Sequence, residues 1–121
     1  MTLSIGVLYI DKSSGLEKRF SLPPGKHLFG FESYRERIWG ADIMTHLGLI
    51  ILPNLLHIGC FSITGDRLNQ LEREGHIILD NIDLITEQTR YDSKENIKFH
   101  VDNLLDAIKL AKQSDGKMII G

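Results

Sequence analysis

The chain has one cysteine and no surplus of basic residues, and each shortage closes off a class of function. Cys60 on its own forms no internal disulfide and no multi-cysteine zinc site, and a reducing compartment is the simplest setting for it. Fourteen Lys and Arg against 16 Asp and Glu leave a formal charge of -2. Nothing there would neutralise a phosphate backbone, so no nucleic-acid partner is expected. The longest apolar run, Leu47 to Cys60, is interrupted by Pro53 and Asn54 and is too short to span a bilayer. No membrane partner is expected either. The opening MTLSIGVLYIDKS has neither a basic lead nor a small-residue cleavage pattern, so an unexported, cytoplasmic protein is expected. Also missing are G-x-G-x-x-G, a Walker loop, H-E-x-x-H and G-x-S-x-G, the familiar phosphate cradles, zinc helices and nucleophile elbows. No cofactor and no catalytic residue are expected.

The remaining composition is that of an ordinary globular domain. Of the 121 residues 42% are hydrophobic and 25% charged, a mix that argues against disorder and for a single domain over residues 1–121. Leu3–Ile10 and Leu16–Leu22 flank DKSSG, whose Asp, Ser and Gly favour a tight reversal, which predicts a β-hairpin. Its second arm alternates Leu16, Lys18, Phe20 and Leu22 with Glu17, Arg19 and Ser21, as an edge strand does. Pro23-Pro24-Gly25 ends it, because proline has no N–H to give a ladder.

Ser33 and Glu36 have the spacing of a capping box, which predicts a helix from Tyr34 to about Leu47, with Gly48 just beyond its end. Its wheel divides: Tyr34, Ile38 and Ala41 lie on one side, Trp39, Ile43 and Leu47 on another. Pro53-Asn54 reads as a turn and His57–Ile63 as a central strand. Leu68, Leu71, Gly75, Ile78, Ile82 and Ile85 recur at threes and fours and predict one long helix over Asp66–Gln88. A second apolar face, Ile97, Val101, Leu104, Leu105, Ile108 and Ala111, predicts a helix over Lys94–Gln113, followed by an Asp115-Gly116 turn and a strand over Lys117–Ile120. The predicted order, ββαβααβ, lacks regular βαβ alternation, so the expected class is α+β, an antiparallel or mixed sheet with helices packed on it.

Candidate chemistry is sparse. His57 and Cys60 stand three apart in a predicted strand and point to opposite faces, so a buried structural thiol is expected at Cys60. The five histidines are scattered; His76 and Asp80 lie one helical turn apart but lack a third ligand, so no metal is expected. Around Trp39, Arg35 and Arg37 have the forked geometry that grips carboxylate or phosphate, and with His46 they form the alternative reading of a small enzyme or ligand-binding domain. Internal pairing with Glu32 and Glu36 is the competing role for those arginines.

The surfaces say more. Glu72, His76, Asp80, Asp83 and Glu87 recur round from the apolar stripe as an acidic ridge, suited to solubility or to a basic partner. On the last helix Phe99 and Leu110 fall off the core face beside Asp102 and Asp106, a greasy centre with a charged rim. The expected partner-binding residues are therefore Glu72, Asp80, Asp83, Glu87, Phe99, Asp102, Asp106 and Leu110. The third reading is a structural subunit of a homo-oligomer, a homodimer in its simplest form, joined through a self-complementary Phe99 and Leu110 patch.

From Phe29 onward, FGFESYRERIWGADIMTHLGLIILPNL, FSITGDRLNQLEREGHIILDNI and NLLDAIKLAKQSDGKMIIG together resemble small bacterial immunity proteins of contact-dependent growth inhibition and related polymorphic toxin systems. The resemblance implies a cytoplasmic toxin inhibitor. Such a protein binds the C-terminal toxin domain of a rival cell, often a nuclease, and plugs its active site or blocks a neighbouring surface. Against active-site mimicry of nucleic acid stands the weak charge of -2.

Overall fold

In the computed structural model, which describes residues 2–121, the sheet is assembled on β1 (Thr2–Ile10). One edge of β1 pairs with β5 (Lys117–Ile120), in the register Ile5 to Ile120 and Leu8 to Lys117. Its other edge takes two short strands in succession: β2 (Glu17–Arg19) against Leu8–Ile10, and β3 (Leu28–Phe31) against Thr2–Ser4. β4 (Phe61–Ile63) joins on the far side of β5. Every pairing is antiparallel, so the domain is α+β.

The hairpin forms as its turn residues predict. The Asp11 carboxylate accepts hydrogen bonds from the Ser13 amide and the hydroxyls of Ser13 and Ser14, and it pairs with Lys18 at 2.7 Å. β3 has no counterpart in the expected order. After the Pro23-Pro24-Gly25 excursion the chain returns to the same edge of β1, a tertiary event that four residues of LFGF do not announce.

Between Tyr34 and Leu47 the expected single helix is two pieces, a π-helical turn over Arg35–Trp39 and α1 (Asp42–His46), broken where Ala41 is extended. The divided wheel has its answer here, because a wider turn lets Tyr34, Ile38 and Trp39 all face inward. Ser33 and Glu36 do not form a capping box; the Ser33 hydroxyl shares a hydrogen bond with that of Tyr91. Gly48, at φ +92°, does lie just past the helix end. Leu52–Leu56 is a 3-10 helix, not a simple turn at Pro53-Asn54.

The expected central strand His57–Ile63 shrinks to β4 at the sheet's outer edge, and Cys60 is exposed rather than buried. Arg35 supplies the reason. Its guanidinium takes hydrogen bonds to the carbonyls of Leu55, Ile58 and Gly59 at 3.0, 2.9 and 2.6 Å, two of them within the segment expected to run in the ladder.

The expected 66–88 helix divides at Asn81 into α2 (Asp66–Asp80) and α3 (Ile82–Thr89). Asn81 leaves helical geometry while its side chain donates to the Ile77 carbonyl at 2.8 Å, the local competition that makes Asn a helix terminator. α4 (Lys94–Gln113) has its predicted limits, with the Ser93 hydroxyl accepting the Asn96 amide at its start. α4 lies on β1, β3 and β5, burying Ile97, Val101, Leu104 and Ile108 over Ile5 and Val7. α2 packs on α4, and Gly75 makes the approach close: a Cβ there would stand 2.8 Å from the Leu105 side chain.

Candidate functional site

The eight residues expected to meet a partner fall on two surfaces. Glu72 of α2 pairs with Lys112 at 3.1 Å and Asp83 of α3 pairs with Lys94 at 3.0 Å, so these acids serve the flank of α4 that faces α2 and α3. Asp80 and Glu87 are exposed, with no ion-pair partner among the described residues. With the break at Asn81 between them, the acidic ridge is two short segments rather than one line. On the opposite flank, Phe99, Asp106 and Leu110 share one stripe of α4 because seven and eleven residues are close to two and three turns. Asp106 pairs with Lys26 at 2.9 Å, and Asp102, further round the helix, pairs with Lys98 at 2.7 Å. Phe99 is exposed; Leu110 is half-buried and lines a hollow with Leu22, Pro23 and Lys26.

Arg35, Arg37 and His46 are not gathered around a pocket. Arg35 is held by its three carbonyls and by Glu32. Arg37 lies over the Tyr91 ring, 5.1 Å from its centroid, and His46 lines a separate hollow with Asp42, Ile43 and Gln88. Trp39 is fully buried, stacked on Phe29 with centroids 4.4 Å apart and donating its indole N–H to the Phe29 carbonyl.

What does converge is aromatic. Tyr34, buried under β3, meets Phe31, Tyr91 and His100 edge-on at centroid distances of 6.3, 6.1 and 5.2 Å, and Phe99 meets His100 at 5.2 Å. The Tyr34 hydroxyl donates to Asp92; burial and then that carboxylate push the phenol well above its usual range. Asp92 also accepts from the Ser93 amide and the Asn96 side chain. Burial pushes its pKa up, but the hydrogen bonds from Tyr34, Asn96 and Ser93 outweigh it and leave Asp92 below the ordinary carboxylate range. Phe31, Phe99 and Tyr91 remain 59%, 44% and 37% exposed on this one end of the molecule.

His100 makes the cluster sensitive to acid. Its Nδ1–H donates to the Asn96 carbonyl at 2.7 Å, and burial lowers its pKa against the smaller opposing effects of that bond and of Asp92. The fold thus favours the neutral ring. Its contribution to stability is complete above the ordinary value of 6.5 and is lost as pH falls below it. The expected result is a His100 imidazole titration midpoint below 6.5 by NMR, with melting temperature falling from pH 7 to pH 5. A midpoint at or above the free-histidine value would contradict this.

Sequence reasoning missed Glu74, which is fully buried on the apolar side of α2. Its carboxyl group accepts the backbone N–H groups of Ile50, Ile51 and Leu52 at 3.0–3.2 Å, and the Gln70 amide at 2.9 Å. It caps the 3-10 helix from another element, and its role is architectural.

No family model matches this chain, and neither a curated protein nor a solved structure shows a match. Among the described residues no group of three or more His, Cys, Asp or Glu side chains could hold a metal ion, and no helix is long and apolar enough to cross a membrane.

Proposed function

We propose that this protein is a non-catalytic binding protein of the immunity type, acting in the cytoplasm to neutralise a cognate toxin domain. The observation that carries the reading is the group of exposed aromatic side chains, Phe31, Tyr91 and Phe99, at the start of α4 with Arg37 among them. Aromatic and arginine side chains dominate the energetics of protein interfaces, and contiguous exposed apolar surface marks where a partner sits. The pairing of Glu72, Asp83, Asp102 and Asp106 with lysines of the same chain moves the emphasis away from a wholly acidic docking face. It favours a mixed patch on the Phe99 flank of α4.

The test is to identify the gene immediately upstream and, where it encodes a candidate toxin domain, to co-express that domain with this chain. The wild type should restore growth, and the purified pair should sediment as a heterodimer. Phe99→Ala is expected to weaken the complex by about 2 kcal/mol, roughly thirtyfold in Kd, while leaving the melting temperature of this exposed position nearly unchanged. A toxin equally lethal with the wild-type chain in excess would sink the function. A protein that instead self-associates through Phe99 would favour the homodimer.

A further inference from the structure

We propose that the hollow between β3 and the first two turns of α4 receives a cationic side chain, arginine or lysine, from a partner protein. The inference names what the surface above would recognise and takes the macromolecular partner from that reading; the chemistry of the hollow stands without it.

The hollow measures about 210 Å3 and is walled by Phe31 and Phe99, with Asp92, Asn96 and His100 along its α4 side. Whole small molecules occupy sites of about 300–1,000 Å3, so this one is the size of a side chain. Asp92 is the one lining residue with a fixed charge. Three donors already reach its carboxylate, from Tyr34, Ser93 and Asn96, which leaves acceptor capacity for one more. His100 adds a second acceptor. With Nδ1 donating to the Asn96 carbonyl and burial keeping the ring neutral, Nε2 carries a bare lone pair, and no protein donor among the described residues reaches it.

Two exposed phenyl rings, one carboxylate and one imidazole acceptor make a site that attracts a cation by ring quadrupole, charge and hydrogen bonding together. An anion would meet Asp92. A purely apolar side chain would cover the remaining acceptor site of Asp92 and the His100 Nε2 without supplying a donor to either, at a desolvation cost. The molecule already uses the same contact internally, in the guanidinium of Arg37 over the Tyr91 ring.

The experiment is an NMR titration of the full chain with N-acetyl-arginine methylamide, and in parallel with the uncharged N-acetyl-citrulline and N-acetyl-leucine analogues. Saturable shifts at Phe31, Phe99 and His100 are expected with arginine, and clearly weaker binding with the other two. Phe99→Leu keeps apolar bulk but loses the ring face, and it should weaken arginine binding about threefold to fivefold, while Phe99→Tyr should retain it. Equal binding of citrulline or leucine, no saturable shift, or indifference to Phe99→Leu would overturn the proposal. Toxin neutralisation without arginine binding would remove this pocket and leave the function standing. Arginine-selective binding without any neutralised partner would do the reverse.

Discussion

Replacing Glu74 with alanine is expected to destabilise the domain by about 3 kcal/mol or more, the largest loss for any single charged residue in the chain. The substitution removes the acceptor for the amides of Ile51 and Leu52, both in fully buried residues, and for the amide of the exposed Ile50. Water cannot reach the inner two without opening the contact between α2 and the 49–52 segment. Each buried donor left without a partner costs about 1–3 kcal/mol, before the cavity left by the side chain is counted. Glu74→Gln keeps one acceptor oxygen and should fall between the two. Glu72→Ala, which breaks only the half-exposed pair with Lys112, should change stability by less than about 1 kcal/mol. Urea unfolding would rank the three, and hydrogen exchange at Ile51 and Leu52 would locate the damage. An alanine variant as stable as the Glu72 control would show that the cap is dispensable.

Glu74 also shows where a sequence speaks and where it falls silent. It stands three residues after Leu71 and four before Ile78, inside the apolar stripe of α2, and a carboxyl group there must find donors. That much was legible at the residue itself. Its donors, from Ile50 to Leu52, were not, because nothing local ties that segment to the middle of a helix more than twenty residues on. The hairpin and α4 were legible because each rests on a local device: the Asp11 turn for one, an unbroken 3.6-residue rhythm with Ser93 at its head for the other.

The division at Asn81 escaped the same rhythm, since Ile78, Ile82 and Ile85 keep their spacing on both sides of one residue that leaves helical geometry. Periodicity records which faces are apolar and is blind to a single break that preserves them. The binding surface divides in the same way. Phe99 betrays itself by lying off the core stripe of α4. His100 follows it directly on α4, but Phe31 and Tyr91 come from two other segments, and only packing around Tyr34 makes them neighbours of that pair.

That packing makes Gly30 the second position of large expected effect. Gly30→Ala should cost about 2–4 kcal/mol, through two faults that act together. The backbone there has φ +110°, a region that side chains of L-residues rarely enter. An added Cβ would also stand 2.3 Å from the Tyr34 ring. The ring has no easy retreat, because Trp39 abuts it at a centroid distance of 5.6 Å and Asp92 holds its hydroxyl. Gly25→Ala separates the two faults: φ is +83° there, but the space around it is open, so strain of about 1 kcal/mol should be the whole loss. If urea midpoints place Gly30→Ala beside Gly25→Ala, the ring is more mobile than its contacts imply. If Gly30→Ala is much the worse, and the aromatic signals of Phe31 and His100 shift with it, then Tyr34 is the post on which the exposed aromatic surface hangs. In that case Gly30→Ala should also abolish recognition of an arginine side chain, because Gly30 and Phe31 both line the hollow and His100 leans on the displaced Tyr34 ring.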